Sequence, residues 1–229
     1  MLSSMNPYYI PRFLYEQSPW DTAVTLGSGM RIARHPLYCD LLLGTEEHYR
    51  SAGIPGPEEI AGFNLKRLWE LWEKDAAGYI FLHARPFRFQ ALLDTKRWCE
   101  KVQWYALAGE VWLDSEGPGQ NKALWLKEVF QSTSSSLTMT EQEQELLEKT
   151  RTLKVYRGAG SRRHARYGLS WTTDRDKAIW FSRRFTQEAY LAETLVEKRH
   201  IAARFLRRGE FEVILRQVPR ETVVHALKK

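Results

Sequence analysis

An α+β fold, with a sheet in the C-terminal part and a mostly helical N-terminal region, is what three features of this sequence predict. Residues Glu210–Leu215 alternate strictly from Phe211. Phe211, Val213 and Leu215 take one face and Glu210, Glu212 and Ile214 the other, the period of a strand. Asn64–Ala77 places Leu65, Leu68, Trp69, Leu71 and Trp72 at helical spacing with charges between them. The strand-like segments of the C-terminal half are separated by helical ones without a regular βαβ rhythm, which argues against a doubly wound sheet.

Taken in order, residues 1–60 carry many turn formers: Pro7, Pro11, Pro19, Pro36 and then Ile54-Pro55-Gly56-Pro57. They predict short strands and loops, with Gly27-Ser28-Gly29 as a turn. After the Asn64–Ala77 helix, the short apolar run Tyr79–Ala84 reads as a strand and Phe87–Val102 as a helix. Glu110–Asp114 reads as a strand entering a turn at Glu116-Gly117-Pro118-Gly119, and Asn121–Phe130 as a helix. The Ser- and Thr-rich stretch Ser132–Thr140 reads as a linker. Thr140 with Glu143 forms a capping box for a helix through Lys149.

From Leu153 the texture changes. Leu153–Arg157 and Gly168–Thr173 are strand patterns, and Asp174 caps a helix over Arg175–Phe185 with Ala178, Ile179, Phe181 and Phe185 on one face. Ala189–Glu197 is a third strand, His200–Leu206 a short helix before Gly209, Glu210–Leu215 a fourth strand, and Glu221–Leu227 a last one. The expected division is a Trp-rich helical region, 1–139, packed on a domain spanning 140–229.

Composition bounds the function classes. Hydrophobic residues make up 43% of the chain, which predicts a folded core rather than disorder. Cys39 and Cys99 lie far apart, so neither a zinc knuckle nor a disulfide framework is expected. His35, Cys39 and His48 imitate metal ligands but lack a second close pair, and no metal is expected. No apolar run approaches the roughly 18 residues of a membrane span. A soluble, cytoplasmic protein is the expectation. The net charge of +6 permits phosphate-rich partners. The basic residues Arg162, Arg163, His164 and Arg166, then Arg183, Arg184, Arg207 and Arg208, predict a basic rim around the motifs of the C-terminal half.

Three short signals carry chemistry. Tyr156-Arg157-Gly158 ends one strand. Ser170-Trp171-Thr172-Thr173 forms the next and leads into a helix with Ala178 and Trp180-Phe181-Ser182. Glu210-Phe211-Glu212 opens an apolar strand. Each alone has an ordinary reading: a solvated arginine, a β-compatible strand, an exposed sheet face. In this order they resemble the arginine–serine–glutamate class of ADP-ribosyltransferases over residues 150–216. Trp171 departs from the family pattern, standing where a small hydroxyl residue is usual.

The resemblance implies a split-sheet ADP-ribosyltransferase fold and transfer of ADP-ribose from NAD to a macromolecule. Glu212 would be the catalytic glutamate, Glu210 would serve a nitrogen acceptor, and Ser170 would orient the glutamate or ribose. NAD would be held by Tyr156, Arg157, Gly158, Ser170 and Thr172, with Phe185 near the nicotinamide. Elementary chemistry is compatible with these roles. Breaking the nicotinamide–ribose bond develops an oxocarbenium-like centre that a nearby carboxylate stabilises. Period two would set Glu210 and Glu212 on one strand face about 7 Å apart. A guanidinium binds phosphate in a bidentate manner, and a glycine lets backbone approach a ligand. An RNA or DNA acceptor is favoured by the basic residues, with a protein arginine as the alternative. Toxin–antitoxin or anti-phage modules, with an inhibitory partner, are the natural setting. The rival from another class is a non-catalytic nucleic-acid-binding protein on a degenerate transferase fold.

Overall fold

The computed structural model describes residues 10–42, 44–115, 121–184 and 188–227. The chain is a mixed helix and sheet protein that divides into two compact units, Met1–Glu116 and Gly117–Lys229.

In the first unit, a short helix α1 (Arg12–Glu16) precedes an antiparallel hairpin of β1 (Ala23–Thr25) and β2 (Arg31–Ala33). Helices α2 (Glu46–Ala52), α3 (Pro57–Leu71), α4 (Ala76–Leu82), α5 (Arg88–Thr95) and α6 (Lys101–Asp114) follow. Pro57 occupies the first turn of α3, where its missing N–H costs nothing.

Three sequence expectations are corrected here. Tyr79–Ala84 is not a strand: Tyr79 to Leu82 belong to α4, whose first turn is capped by the Asp75 carboxylate accepting from the Gly78 amide at 2.8 Å. A short apolar run has no period of its own, so the cap decides. The helix expected over Phe87–Val102 is interrupted between Thr95 and Lys101, and Glu100 starts a new one by accepting from the Val102 and Gln103 amides at 2.9 and 3.1 Å. Glu110–Asp114 is the last turn of α6 rather than a strand. Along α6, Trp104, Leu107, Ala108, Val111 and Trp112 are buried, the i, i+3, i+4, i+7, i+8 stripe of a core helix.

The second unit opens with α7 (Lys122–Trp125) running into a π-helical turn, Leu126–Phe130. The Ser- and Thr-rich stretch is not an exposed linker. It forms a 3-10 turn over Ser135–Thr138 whose Ser135 and Thr138 are buried. Arg216 ties this segment to the sheet, donating to the Phe130 carbonyl at 3.0 Å and the Ser135 hydroxyl at 2.7 Å. These bonds join the 130–135 segment to the sheet within the second unit. Helix α8 (Glu141–Glu148) carries the expected capping box, with both Thr140–Glu143 bonds present.

Then come β3 (Thr152–Ala159), α9 (Arg162–Tyr167), β4 (Ser170–Thr172), α10 (Arg175–Arg183), β5 (Tyr190–Glu197), β6 (Ile201–Phe205), β7 (Glu212–Leu215) and β8 (Val223–Ala226). They build one six-stranded antiparallel sheet in the order β6-β7-β4-β3-β5-β8. The stretch expected as a helix, His200–Leu206, is mostly strand β6. Ile201, Ala202, Ala203 and Phe205 are all buried, and a strand covered on both faces shows no alternation to read. The turn expected at Glu116–Gly119 lies outside the described residues.

Candidate functional site

Strand β3 pairs with β5 over eight residues, Thr152↔Glu197 through Ala159↔Tyr190, but meets β4 at a single pair, Tyr156↔Thr172. The sheet is therefore two three-stranded halves joined at one point. Arg157, the next residue along β3, fills the divergence. Its Nε donates to the His164 carbonyl at 3.1 Å and an Nη to the Ser170 carbonyl. One guanidinium thus ties β3 to α9 and to the first residue of β4.

Two glycines make this geometry attainable. A Cβ at Gly168 would overlap the Nε and Cζ of Arg157, so only glycine leaves room for the guanidinium there. A Cβ at Gly158 would overlap the Ala178 carbonyl oxygen and come within 2.8 Å of the Ser182 amide nitrogen. The absent side chain of Gly158 lets α10 approach the sheet closely.

Across the junction, β4 and β7 pair Ser170↔Ile214, Trp171↔Val213 and Thr172↔Glu212. Ser170, Thr172 and Glu212 therefore share a face of the sheet, as directly opposed residues and their i+2 neighbours do. Ser170 and Glu212 are half-buried and Thr172 is buried. The Thr172 hydroxyl is engaged locally. It donates to the Glu210 carbonyl at 2.7 Å and accepts from the Asp174 amide at 3.0 Å. These two bonds give Thr172 a positioning role between β4, the turn before β7 and the start of α10. Asp174 in turn caps α10, accepting from the Asp176 and Lys177 amides.

Glu210 is not part of the strand. It has helical backbone angles at the end of a 3-10 turn over Arg207–Gly209, and Phe211 lies in the left-handed region at φ 49°. The period of two that placed Glu210 beside Glu212 is broken at Phe211, and β7 begins at Glu212. The turn is pinned to β4 through the Thr172–Glu210 bond and the Thr173 amide, which donates to the Phe211 carbonyl at 3.2 Å. Lys177 reaches over it, donating to the Gly209 carbonyl and lying 5.7 Å from the centre of the Phe211 ring.

The electrostatics concentrate on Arg157. Burial lowers its pKa and the Glu212 carboxylate opposes that shift, so the two are in mutual range across the junction. Lys122 donates to the Tyr167 carbonyl, and burial together with the Arg157 charge lowers its pKa as well. Tyr156 is half-buried, opposed to Thr172 on β4 and to Glu193 on β5, with the Lys154 ammonium 5.5 Å from its ring centre. Phe185 lies outside the described residues.

The expected basic rim is sorted by the structure into two groups. Arg166 donates to the Thr222 and Arg220 carbonyls, both at 2.7 Å, and Arg207 pairs with the buried Glu143 at 3.1 Å. These are internal ties. Arg162, Arg163, Arg183, Arg184 and Arg208 are exposed. Sequence reasoning passed over Gly168 and Lys122; a glycine just before the Ser170 strand was the signal available for the first. Among the described residues no group of three or more His, Cys, Asp or Glu side chains is gathered to hold a metal ion. No protein-family model, curated protein or solved structure matches the chain.

Proposed function

We propose that the chain is a NAD-dependent mono-ADP-ribosyltransferase acting on a macromolecular acceptor, nucleic acid before protein and RNA before DNA, in a toxin–antitoxin or anti-phage setting. The observation that carries this reading is that Arg157, bonded to the Ser170 carbonyl at the one-pair junction of the sheet, lies within electrostatic range of Glu212. In this reaction the bond from ribose C1′ to nicotinamide breaks with its electron pair leaving on nicotinamide. An acceptor nitrogen then bonds to C1′ and gives up a proton. Glu212 supplies the negative charge that stabilises the oxocarbenium-like state between the two events. Ser170, on the same sheet face, orients that carboxylate or the ribose.

Arg157 has two of its three nitrogens committed to backbone carbonyls, which supports a positioning role first and leaves one nitrogen to offer a pyrophosphate. Glu210 takes its acceptor-side role from a turn rather than from a shared strand face. The favoured acceptor rests on the exposure of Arg162, Arg163, Arg183, Arg184 and Arg208.

The experiment is incubation of the protein with labelled NAD and total cell lysate, followed by separate nuclease and protease digestion. Label that ribonuclease releases and protease does not is the expected result. Label released by protease alone makes the acceptor protein, and neither transfer nor nicotinamide release in any fraction overturns the reading.

A further inference from the structure

We infer that the outer face of α10 is a single-stranded nucleic-acid platform, with Trp180 as its stacking surface. The inference rests on the transferase reading only for its meaning as an acceptor site; binding itself is independent of it.

Helix α10 has two opposed faces. Ala178 and Ser182, at i and i+4, are buried against the sheet, with Gly158 packed on the Ala178 carbonyl. Trp180, about 200° around the helix from Ala178, is 56% exposed. A tryptophan left this open on a well-packed helix is unusual, since indole is among the largest apolar surfaces a chain can bury. It is also held in place, with the Arg184 guanidinium 5.1 Å from its ring centre and Phe181 edge-on at 5.0 Å.

Positive charge predominates on the helix. Arg175, Arg183 and Arg184 are exposed and Lys177 half-exposed, against Asp176 and the capping Asp174 at its N-terminal end. Lys177, Trp180 and Arg184, at i, i+3 and i+7, fall on one side of the helix. An indole flanked by cations complements a flexible polyanion carrying flat rings: a base stacks on the indole while the arginines meet phosphates. A duplex, whose bases are already stacked on each other, does not offer this. The platform also leads to the candidate site. Lys177 sits over the turn before Glu212, and Trp180 lies about 4.5 Å further along the helix axis at 1.5 Å per residue.

The test is fluorescence anisotropy of a labelled, mixed-sequence single-stranded RNA about 20 nucleotides long, titrated with the full chain. Wild type, Trp180→Ala, Trp180→Phe and Arg183→Gln/Arg184→Gln are compared across a salt series, with nicotinamide release measured in parallel. Trp180→Ala is expected to weaken binding about ten- to a hundredfold with its salt slope unchanged. Trp180→Phe should retain most of the affinity. The double arginine variant should flatten the salt slope by roughly 0.7 for each phosphate it no longer neutralises. Circular dichroism checks that every variant is folded. Wild-type affinity in folded Trp180→Ala, or no RNA binding by wild type, overturns the platform. Nicotinamide release by wild type in that case leaves the enzyme reading standing, so the two failures are told apart.

Discussion

In the helical unit the interior is built from rings. Trp72 lies 5.0 Å from Tyr79 and 5.6 Å from Trp98, and Tyr79 lies 5.0 Å from His83, all edge to face. In the sheet unit guanidinium ties are more frequent: Arg157, Arg166 and Arg216 each donate to backbone carbonyls and Arg207 to the Thr138 carbonyl as well as to Glu143, where the helical unit has Arg88 on the His83 and Phe81 carbonyls. The difference has a physical consequence. Ring contacts are broad and tolerate small shifts, whereas a planar fork on two carbonyls fixes strand ends to within hydrogen-bond tolerance. A site needing side chains from three strands in register belongs on the second kind of scaffold. The helical unit also leaves polar atoms unmatched. The Gln90 Oε1, Asp94 Oδ2 and Trp98 Nε1 are buried without a hydrogen-bond partner among the described residues.

The contrast between the units breaks most directly at Gly158. Gly158→Ala forces a Cβ into the Ala178 carbonyl, in backbone rather than in a side chain that could swing away. It should destabilise the sheet unit by about 3 kcal/mol or more and expose its amides to hydrogen exchange, while the amides of the helical unit keep their protection. Equal loss of protection in both units would mean that they unfold as one body and that the contrast has no energetic content.

A smaller effect sharpens the other side. Burial raises the Asp94 pKa to about 7, with the nearby Arg97 charge pulling it down, and burial lowers the His83 pKa to about 4. A carboxyl whose folded pKa lies above its unfolded value contributes stability below about pH 4 and loses it as pH rises through about 7. The histidine runs the other way, with stability present above its unfolded value and lost as pH falls towards about 4. Asp94→Asn removes the first titration and keeps the shape. In urea unfolding, its stability relative to wild type should rise between pH 4 and pH 8 by about 2–4 kcal/mol. A pH-independent difference would place the Asp94 carboxylate in contact with water.

These outcomes bear on how far the sequence could be read. The α8, α10 and β5 segments were legible because each carries a cap or a period: Thr140 with Glu143 before α8, Asp174 before α10, and the buried–exposed alternation that ends β5. The α4 run and the end of α6 were not, since short apolar runs are too brief to show a period, nor was β6, a buried strand with no polar face. The Glu210 placement failed for a local reason, the left-handed Phe211, in a turn held by bonds from β4 that lie 38 residues away in sequence. Of the candidate site, Arg157, Ser170 and Glu212 were legible as residues. The single-pair junction that brings them together was not, because it depends on Gly168 making room for a side chain from another strand.

Nicotinamide release by wild type and Glu212→Gln tests whether Glu212 stabilises charge developing on a ribose of NAD. The amide keeps the volume and an acceptor atom but removes the negative charge. Release from wild type, and a loss of about 10²–10³ in the rate for a variant with unchanged circular dichroism and unfolding midpoint, is the predicted result. Release at the wild-type rate from folded Glu212→Gln, or none from wild type, would contradict the account.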